Sequence, residues 1–161
     1  MRTTGKTRDR IMKAAFEEFT EKGYDRTKTR QIAERASVNE VTIFRHFGSK
    51  ERLFTTVIEN GIRNGMIAVA RIEPGDDVIE DLTEIGISVA RSMMTNARFT
   101  KLISDEYHNI HPMLTKVMSD AYFEMVDVIC QYLYKAIEKG TIRNINADLA
   151  AIMFFSPFLI A

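Results

Sequence analysis

The side chains with the most suggestive chemistry lie between Thr29 and Phe47, where several could bind the edges of nucleic-acid bases. An arginine such as Arg45 can donate two hydrogen bonds to guanine, and the Glu40 carboxylate can accept one from the amino group of cytosine. Val41 and the methyl group of Thr42 can contact the methyl group of thymine. Each residue alone could equally be a solvated surface residue, so the interpretation depends on their occurrence together.

A second group of reactive side chains comprises Asp105, Glu106, His108 and His111, which lie within two helical turns. Such a group could hold a metal ion or act as a general acid and base. The two histidines share a helix face only if the helix reaches Pro112, and the residue before a proline resists helical angles. Loop and capping roles therefore fit these residues better. Because the glycine and serine motifs of nucleotide-binding and hydrolytic enzymes do not occur, the sequence predicts no enzyme, no metal and no cofactor.

The charge distribution also favours a nucleic-acid partner. The 161 residues carry 22 basic and 22 acidic side chains, but residues 1–60 hold 13 basic and 9 acidic ones, a net charge of +4. The remainder carries −4. An asymmetry of this kind indicates a nucleic-acid or membrane module joined to another part.

Cysteine usage and hydropathy indicate the compartment. Cys130 is the single cysteine, so neither an intramolecular disulfide nor a cysteine zinc site can form, and it is predicted to be a small core residue. The basic N-terminus leads into no apolar signal segment, and the apolar run 149–161 is too short to span a membrane. The sequence predicts a cytoplasmic protein with no membrane partner.

The elements that position these residues are all predicted to be helices, because apolar residues recur at helical spacing nearly everywhere. Capping residues, glycines and prolines set the limits. The predicted helices run from about Thr7 to Lys22, Thr29 to Ala36, Glu40 to His46, from a Ser49 cap to Pro74, from Asp76 through Met93, through Phe99 to Glu106, from Pro112 to Gly140, and from near Asn146 to the chain end.

The two short helices at 29–46, joined by a three-residue turn, have the form of a helix-turn-helix. Ala33 must be small because the second helix crosses it. The other residues expected to fill the angle between the helices are Ile32, Ala36, Val38 and Ile43. The outward side of the second helix then presents Glu40, Val41, Thr42, Arg45 and His46.

Across this region the sequence resembles the tetracycline-repressor (TetR) family of bacterial transcriptional regulators. The matching residues, about a third of the chain, are Ile11-x-x-Ala14-Ala15-x-x-x-Phe19-x-x-x-Gly23-Tyr24-x-x-Thr27, Arg30-x-Ile32-Ala33-x-x-Ala36-x-Val38 and Thr42-Ile43-Phe44-Arg45-His46-Phe47-x-Ser49-Lys50-Glu51-x-Leu53. The resemblance implies an all-α protein. Residues 1–50 would form a three-helix DNA-binding domain with the helix-turn-helix, and residues 51–161 a helical effector-binding and dimerisation domain.

The resemblance also implies roles for individual residues and a set of partners. Arg30, Glu40, Val41, Thr42 and Arg45 would face base edges or nearby phosphates. The backbone-gripping positions would include His46 and Lys50, and Phe44 belongs to the same DNA-facing set. The implied protein is a homodimeric repressor that binds a palindromic operator and is released by a small apolar ligand. The alternative is an effector-independent DNA-binding protein of structural or nucleoid type.

Three departures from the family pattern bear on this interpretation. Ser37 stands where the family usually has glycine at the turn, so a different turn is expected, because a left-handed conformation costs a residue with a side chain about 1–2 kcal/mol. Lys28 replaces a small hydroxyl residue, which leaves Thr27 and Thr29 as candidate caps for the second helix. Phe44 replaces a frequent tyrosine and so lacks a hydroxyl that would reach a phosphate.

The second half of the chain gives weaker signals. Seven of nine methionines lie beyond Asn60 and could line an adaptable apolar cavity or simply fill gaps in the core. The candidate ligand-binding residues are Met66, Met93, Phe99, Met118, Tyr122 and Met125. The last helix is strongly apolar up to Ala161, which predicts either a dimerisation surface or a closing dimerisation helix that the sequence lacks.

Overall fold

The computed structural model describes residues 3–66, 73–108 and 112–159, in which every regular element is a helix and no strand occurs, as predicted. Within these ranges no helix combines the length and the apolar character needed to cross a membrane. The helices are α1 (Thr3–Arg26), α2 (Thr29–Arg35), α3 (Glu40–Phe47), α4 (Lys50–Met66), α5 (Val78–Thr95), α6 (Ala97–His108), α7 (Pro112–Lys139) and α8 (Ala147–Phe155), followed by a 3-10 turn, Ser156–Leu159.

Side-chain caps determine where several helices begin. Asn39 accepts a hydrogen bond from the Val41 amide at 2.9 Å and caps α3. The Ser49 hydroxyl accepts from the Arg52 amide at 3.1 Å at the start of α4, and Asn146 caps α8. These contacts satisfy amides that have no partner within a helix. The predicted caps at Asn39 and Ser49 are confirmed, and the last helix begins beside Asn146, as predicted.

The end of α1 fixes the entry to the helix-turn-helix. Gly23 has a φ of 77° and interrupts the helix, as the sequence predicts, although a further turn continues to Arg26. The buried Thr27 hydroxyl donates to the carbonyl oxygen of Gly23 at 2.7 Å and lies 3.1 Å from that of Glu18. Thr27 therefore holds the chain against the end of α1.

The described helices pack as two compact units. The first comprises Met1–Gly61 and Ala97–Val117, so α6 belongs with α1, α2 and α3. Its centre is an aromatic cluster in which the Phe54 ring lies 5.0 Å from Phe19 and 4.9 Å from Tyr24. The functional boundary after residue 50 stays a prediction, whereas the packing of this unit continues to Gly61 and includes α6.

The second unit comprises Ile62–Asn96 and Met118–Ala161. Its largest fully buried side chains include Ile85, Ile129 and Phe155, from three different helices. The Tyr132 hydroxyl donates to the Asp81 carboxylate at 2.5 Å. Cys130 is buried in the same core, which confirms its predicted place, and burial raises the pKa of its thiol.

Candidate nucleic-acid interface

The turn between α2 and α3 is built around Ser37, whose φ is 52°. The Ser37 amide donates to Glu34 at 3.1 Å, and the Val38 amide donates to Ala33 at 3.0 Å, so α2 ends on two backbone hydrogen bonds. The expectation that a serine here would avoid the left-handed conformation is wrong. Ala36 is buried directly before the turn and Ile43 is buried after it, and Ser37 adopts the geometry usual for glycine.

One side of α3 exposes large apolar side chains to solvent. Val41 is 71% exposed and Phe44 is 45% exposed. The neighbouring Arg45 is also exposed, and no described acidic side chain forms an ion pair with it. Thr42 and His46 are half-buried on the same short helix. An apolar surface with a free guanidinium at its edge is typical of an interaction site.

The start of α2 is capped by neither Thr27 nor Thr29, the two candidate caps that the sequence offers. Lys28 is the N-cap residue without a side-chain cap, and Gln31 Oε1 instead accepts from the Lys28 amide at 3.2 Å. Neither threonine caps this helix, so that expectation is wrong. Thr27 bonds back to α1, and the Thr29 hydroxyl donates to Glu40 Oε1 at 2.5 Å. This hydrogen bond therefore joins the first residue of α2 to the first residue of α3.

Two further cations lie near this surface in different environments. Arg30 forms an exposed ion pair with Glu34 at 3.0 Å, one turn along α2. Exposed pairs of this kind contribute little, so the guanidinium can exchange its carboxylate for a phosphate. Lys50 Nζ lies 4.3 Å from the centre of the Tyr24 ring and 3.4 Å from the Asp25 carbonyl oxygen. The start of α4 thus presents an ammonium group beside helix amides, an arrangement that favours phosphate.

A cluster of carboxylates on α1 holds the end of α2. The Arg35 guanidinium donates to both Glu21 oxygens at 3.0 and 3.1 Å, and its Nε lies 3.0 Å from the buried Glu18 carboxylate. The hydrogen bond with Glu21 raises the pKa of Arg35, and the same bond lowers the pKa of the Glu21 carboxyl. This two-point contact fixes α2 on α1 and so orients the helix-turn-helix.

The second unit contains an apolar cavity of about 590 Å³. It is open to solvent and lies among the start of α5, the second half of α7, the loop between α7 and α8, and α8 itself. Arg143 is the one charged residue among those lining it. The lining residues are Val78, Leu82, Ile129, Leu133, Ile142, Arg143, Ile145, Ala150, Met153 and Phe154.

The candidate ligand-binding residues lie elsewhere in the chain, and none of the four whose side chains the structure describes lines this cavity. Phe99 lies in the first unit, with its ring 6.4 Å from that of Phe16. Tyr122 and Met125 pack against the core of the second unit, and Met118 is half-buried on α7. The side chains of Met66 and Met93 lie outside what the structure describes. Their assignment to a ligand site stays a prediction.

The predicted acid and imidazole group can be located only in part. Asp105 pairs with Lys101 at 3.2 Å on the surface of α6. The side chains of Glu106 and His108, and all of His111, lie outside the described residues. Elsewhere in the described ranges, no three metal-ligating side chains come together.

Comparison with known proteins decides the family. Residues 11–57, which contain the helix-turn-helix, match the sequence model of the "Bacterial regulatory proteins, tetR family". The chain is also 30% identical to the HTH-type transcriptional regulator YvkB of Bacillus subtilis, over 97% of this chain and 79% of YvkB. The chain belongs to the TetR family. The relatives are transcriptional regulators, a role that is not enzymatic.

A second relative supports the same membership. The TetR-family chain is 42% identical to the HTH-type transcriptional repressor NicS of Pseudomonas putida, over 86% of this chain and 67% of NicS.

Solved structures confirm the fold of this TetR-family chain. GusR of Salmonella enterica is similar with a TM-score of 0.77 and 24% identity, covering 94% of this chain and 79% of GusR. FadR of Bacillus subtilis, solved in complex with stearoyl-CoA, is similar with a TM-score of 0.70 and 19% identity, covering 91% of this chain and 80% of FadR.

Sequence reasoning missed two residues at the DNA-binding helices of this TetR-family chain. The Arg8 guanidinium of α1 lies 5.2 Å from the centre of the Phe47 ring, which brings an exposed cation to the end of α3. The sequence pattern indicates only a capping role for Thr29, whereas in the structure its hydroxyl bonds to Glu40. The basic segment around Arg8 was a signal in the sequence, but the pairing of Thr29 with Glu40 depends on how α2 and α3 cross.

Proposed function

We propose that this TetR-family chain is a cytoplasmic, homodimeric repressor that binds a palindromic operator and is released by a small apolar ligand. The observation that carries the proposal is the exposed side of α3, where Val41, Phe44 and Arg45 face solvent beside the fixed turn at Ser37. A helix of this kind fits the major groove, and two copies about 34–36 Å apart meet successive grooves on one face of DNA.

The proposed DNA contacts are of two kinds: some distinguish one base pair from another, and others position the protein on the DNA backbone. In this proposal Arg30, Glu40, Val41, Thr42 and Arg45 face base edges or nearby phosphates. His46 and Lys50 bind the backbone, and Phe44 packs on the sugar-phosphate surface without the hydroxyl of a tyrosine. The net charge of +4 over residues 1–60 supports an approach to phosphates.

Exposed apolar residues on α8 support dimerisation. Leu149 is 54% exposed and Met153 is 66% exposed, and Ile152 is exposed between them. An apolar helix surface of this kind is typical of an interface between protein chains. We therefore place the contact between the two copies on α8.

The apolar cavity supports the proposed response to a ligand. A volume of about 590 Å³ suits a small molecule, and the lining is apolar apart from Arg143. FadR of Bacillus subtilis, similar in fold, was solved with stearoyl-CoA, a ligand with a long apolar chain. A ligand that binds better to the state unable to hold DNA lowers operator affinity by its differential affinity for the two states.

Selection from a random pool of duplex DNA tests this function. We expect the bound sequences to converge on a palindrome, with two chains bound to each site. Apolar ligands that raise the melting temperature of the free protein should weaken operator binding. Equal affinity for selected and random DNA would contradict the regulator. Specific binding that no stabilising ligand changes would instead favour the effector-independent alternative.

A further inference from the structure

We infer that Thr29 is a positioning residue that fixes the Glu40 carboxylate as a reader of an amino group on a DNA base. The inference rests on the proposed DNA-binding function and adds to it the chemistry of one contact. The amino group is N4 of cytosine or N6 of adenine, the two donors that base pairs present in the major groove.

The geometry leaves one carboxylate oxygen of Glu40 available. The Thr29 hydroxyl donates its single proton to Oε1 at 2.5 Å, and both side chains are half-buried. Among the described residues, the bond from Thr29 to Oε1 is the hydrogen bond that the Glu40 carboxylate accepts, so Oε2 retains its lone pairs for another donor. Thr29 and Glu40 are eleven residues apart in sequence, so this bond joins the N-termini of two helices.

The backbone around Glu40 is equally well fixed. The Asn39 side chain accepts from the Val41 amide at 2.9 Å, and the Asn39 carbonyl accepts from the Thr42 amide at 2.8 Å. Thr29 is β-branched, which restricts its own χ1 rotation. The free Glu40 oxygen thus belongs to a side chain that is held at both its backbone and its carboxylate.

A carboxylate on a DNA-binding surface discriminates strongly between bases. The surrounding phosphates repel it, and only a hydrogen-bond donor on the DNA offsets that cost. Guanine presents acceptors at O6 and N7, and thymine presents an acceptor at O4, so both are repelled. Glu40 therefore selects for an amino group and against a carbonyl at one position.

Because Thr29 fixes the Glu40 carboxylate before DNA binds, Glu40 discriminates more strongly between bases. A free glutamate side chain loses rotamer entropy when it binds, and it can swing into water to avoid a wrong base. The hydrogen bond from Thr29 restricts this movement of the Glu40 side chain. Without the hydroxyl, we expect Glu40 to tolerate the wrong base pair more easily, while contacts to phosphate stay unchanged.

Three single variants and one double variant test the inference on the operator obtained by selection. Thr29→Val keeps the side-chain shape without the donor, Thr29→Ser keeps the donor, and Glu40→Ala removes the carboxylate acceptor. Each variant is titrated with the operator, with every single base-pair change at the α3 contact positions, and with random DNA. A further pair of operators carries purine in place of adenine, or 2-pyrimidinone in place of cytosine, at the sensitive position.

We expect the wild-type protein to prefer one amino-bearing base by about 5–100-fold, the range of a single mismatched base pair. Deleting the amino group should remove most of that preference and show whether the base is cytosine or adenine. Glu40→Ala should lose the preference, Thr29→Val should lose about 3–10-fold of it, and Thr29→Ser should retain it. The base preference of Thr29→Val combined with Glu40→Ala should equal that of Glu40→Ala alone.

Two outcomes would overturn the inference. One is a loss in Thr29→Val that is equal on every sequence and parallels a fall in melting temperature, because that result assigns Thr29 a structural role. The other is an unchanged base preference in Glu40→Ala. A wild-type protein that binds no sequence preferentially would instead refute the proposed function itself.

Discussion

The ring of Phe99 in α6 occupies the space that a β-carbon on Gly61 in α4 would need. Its Cζ atom lies 2.5 Å from that position, and Cδ2 lies at 2.9 Å, both too close for two carbon atoms in contact. Glycine inside a helix costs about 1 kcal/mol relative to alanine. The close approach of the Phe99 ring is the structural reason for accepting that cost at position 61.

Gly61→Ala should therefore destabilise the protein by about 1 kcal/mol, although alanine is the better helix former, because overpacking costs about 1–3 kcal/mol. Urea unfolding measures the change. Gly5→Ala is the matched control, since Gly5 lies in α1 with no atom within 4 Å of an added β-carbon, and it should cause no loss. Combining Gly61→Ala with Phe99→Leu should recover stability relative to the sum of the two single changes. Additive losses would contradict the contact.

Local signals explain why the helices could be predicted. Asn39, Ser49 and Asn146 cap helices through bonds to amides two or three residues away, so a short stretch of sequence is enough to show where such a helix begins. The environment of Phe99 could not be predicted in this way. Its place depends on Gly61, thirty-eight residues earlier, and the prediction that it lines a ligand site took account only of its type.

The exposed side of α3 could be predicted because helical periodicity places the buried and the exposed residues of a short helix on opposite sides. Ile43 and Phe47 are buried, which leaves Val41 and Phe44 outside. The conformation of Ser37 could not be predicted, because propensity favours another turn and tertiary packing overrides it. The bond from Thr29 to Glu40 escaped prediction for the same physical reason, since the crossing of two helices creates it.

Ser37→Gly should stabilise the protein by up to about 1 kcal/mol. The left-handed conformation at φ 52° costs serine about 1–2 kcal/mol, and the extra freedom of glycine in the unfolded chain offsets about half of that. Ser37→Ala keeps the strain and is the control. Denaturant unfolding of the three proteins gives the comparison. Equal stability of the glycine and alanine variants would show that the turn stores no strain.

Arg35→Lys should weaken the attachment of α2 to α1, because a lysine cannot donate to both Glu21 oxygens at once. We expect the melting temperature to fall by about 2–4 °C in low salt and by less at high salt, where screening weakens the wild-type contact. Operator affinity should fall with it, since the helix-turn-helix is less firmly oriented. Arg30→Lys, at the exposed pair with Glu34, is the control and should leave the melting temperature unchanged.

Tyr132→Phe should lower the melting temperature by about 2–4 °C near neutral pH, because it removes the donor to Asp81. The Tyr132 hydrogen bond and the Gly75 amide lower the pKa of Asp81 below 3.8, so their contribution is present above that pH and is lost as the pH falls. Burial and the bond to Asp81 raise the pKa of Tyr132 above 10.0, so that contribution is present below pH 10 and is lost as the pH rises further.

The stability difference between wild type and Tyr132→Phe should therefore be largest at intermediate pH and shrink at both extremes. Unfolding in urea at a series of pH values measures it. Tyr134→Phe, at an exposed hydroxyl that donates to Asp148 at 3.0 Å, is the control and should give a smaller difference. A difference between wild type and Tyr132→Phe that did not change with pH would mean that the Asp81 charge does not stabilise the fold.

Lys50→Ala and Arg45→Ala should weaken DNA binding in different ways, because their surroundings differ. Lys50 lies over the Tyr24 ring at the start of α4, where an ammonium can meet a phosphate but no base. Its removal should weaken binding to all sequences alike and reduce the salt slope by about 1. Arg45 projects from the exposed side of α3, and its removal should cost about 5–100-fold on the operator and little on random DNA. Binding titrations at several salt concentrations separate the two effects. Equal losses on operator and random DNA in both variants would contradict the division of α3 and α4 into a reading helix and a positioning helix.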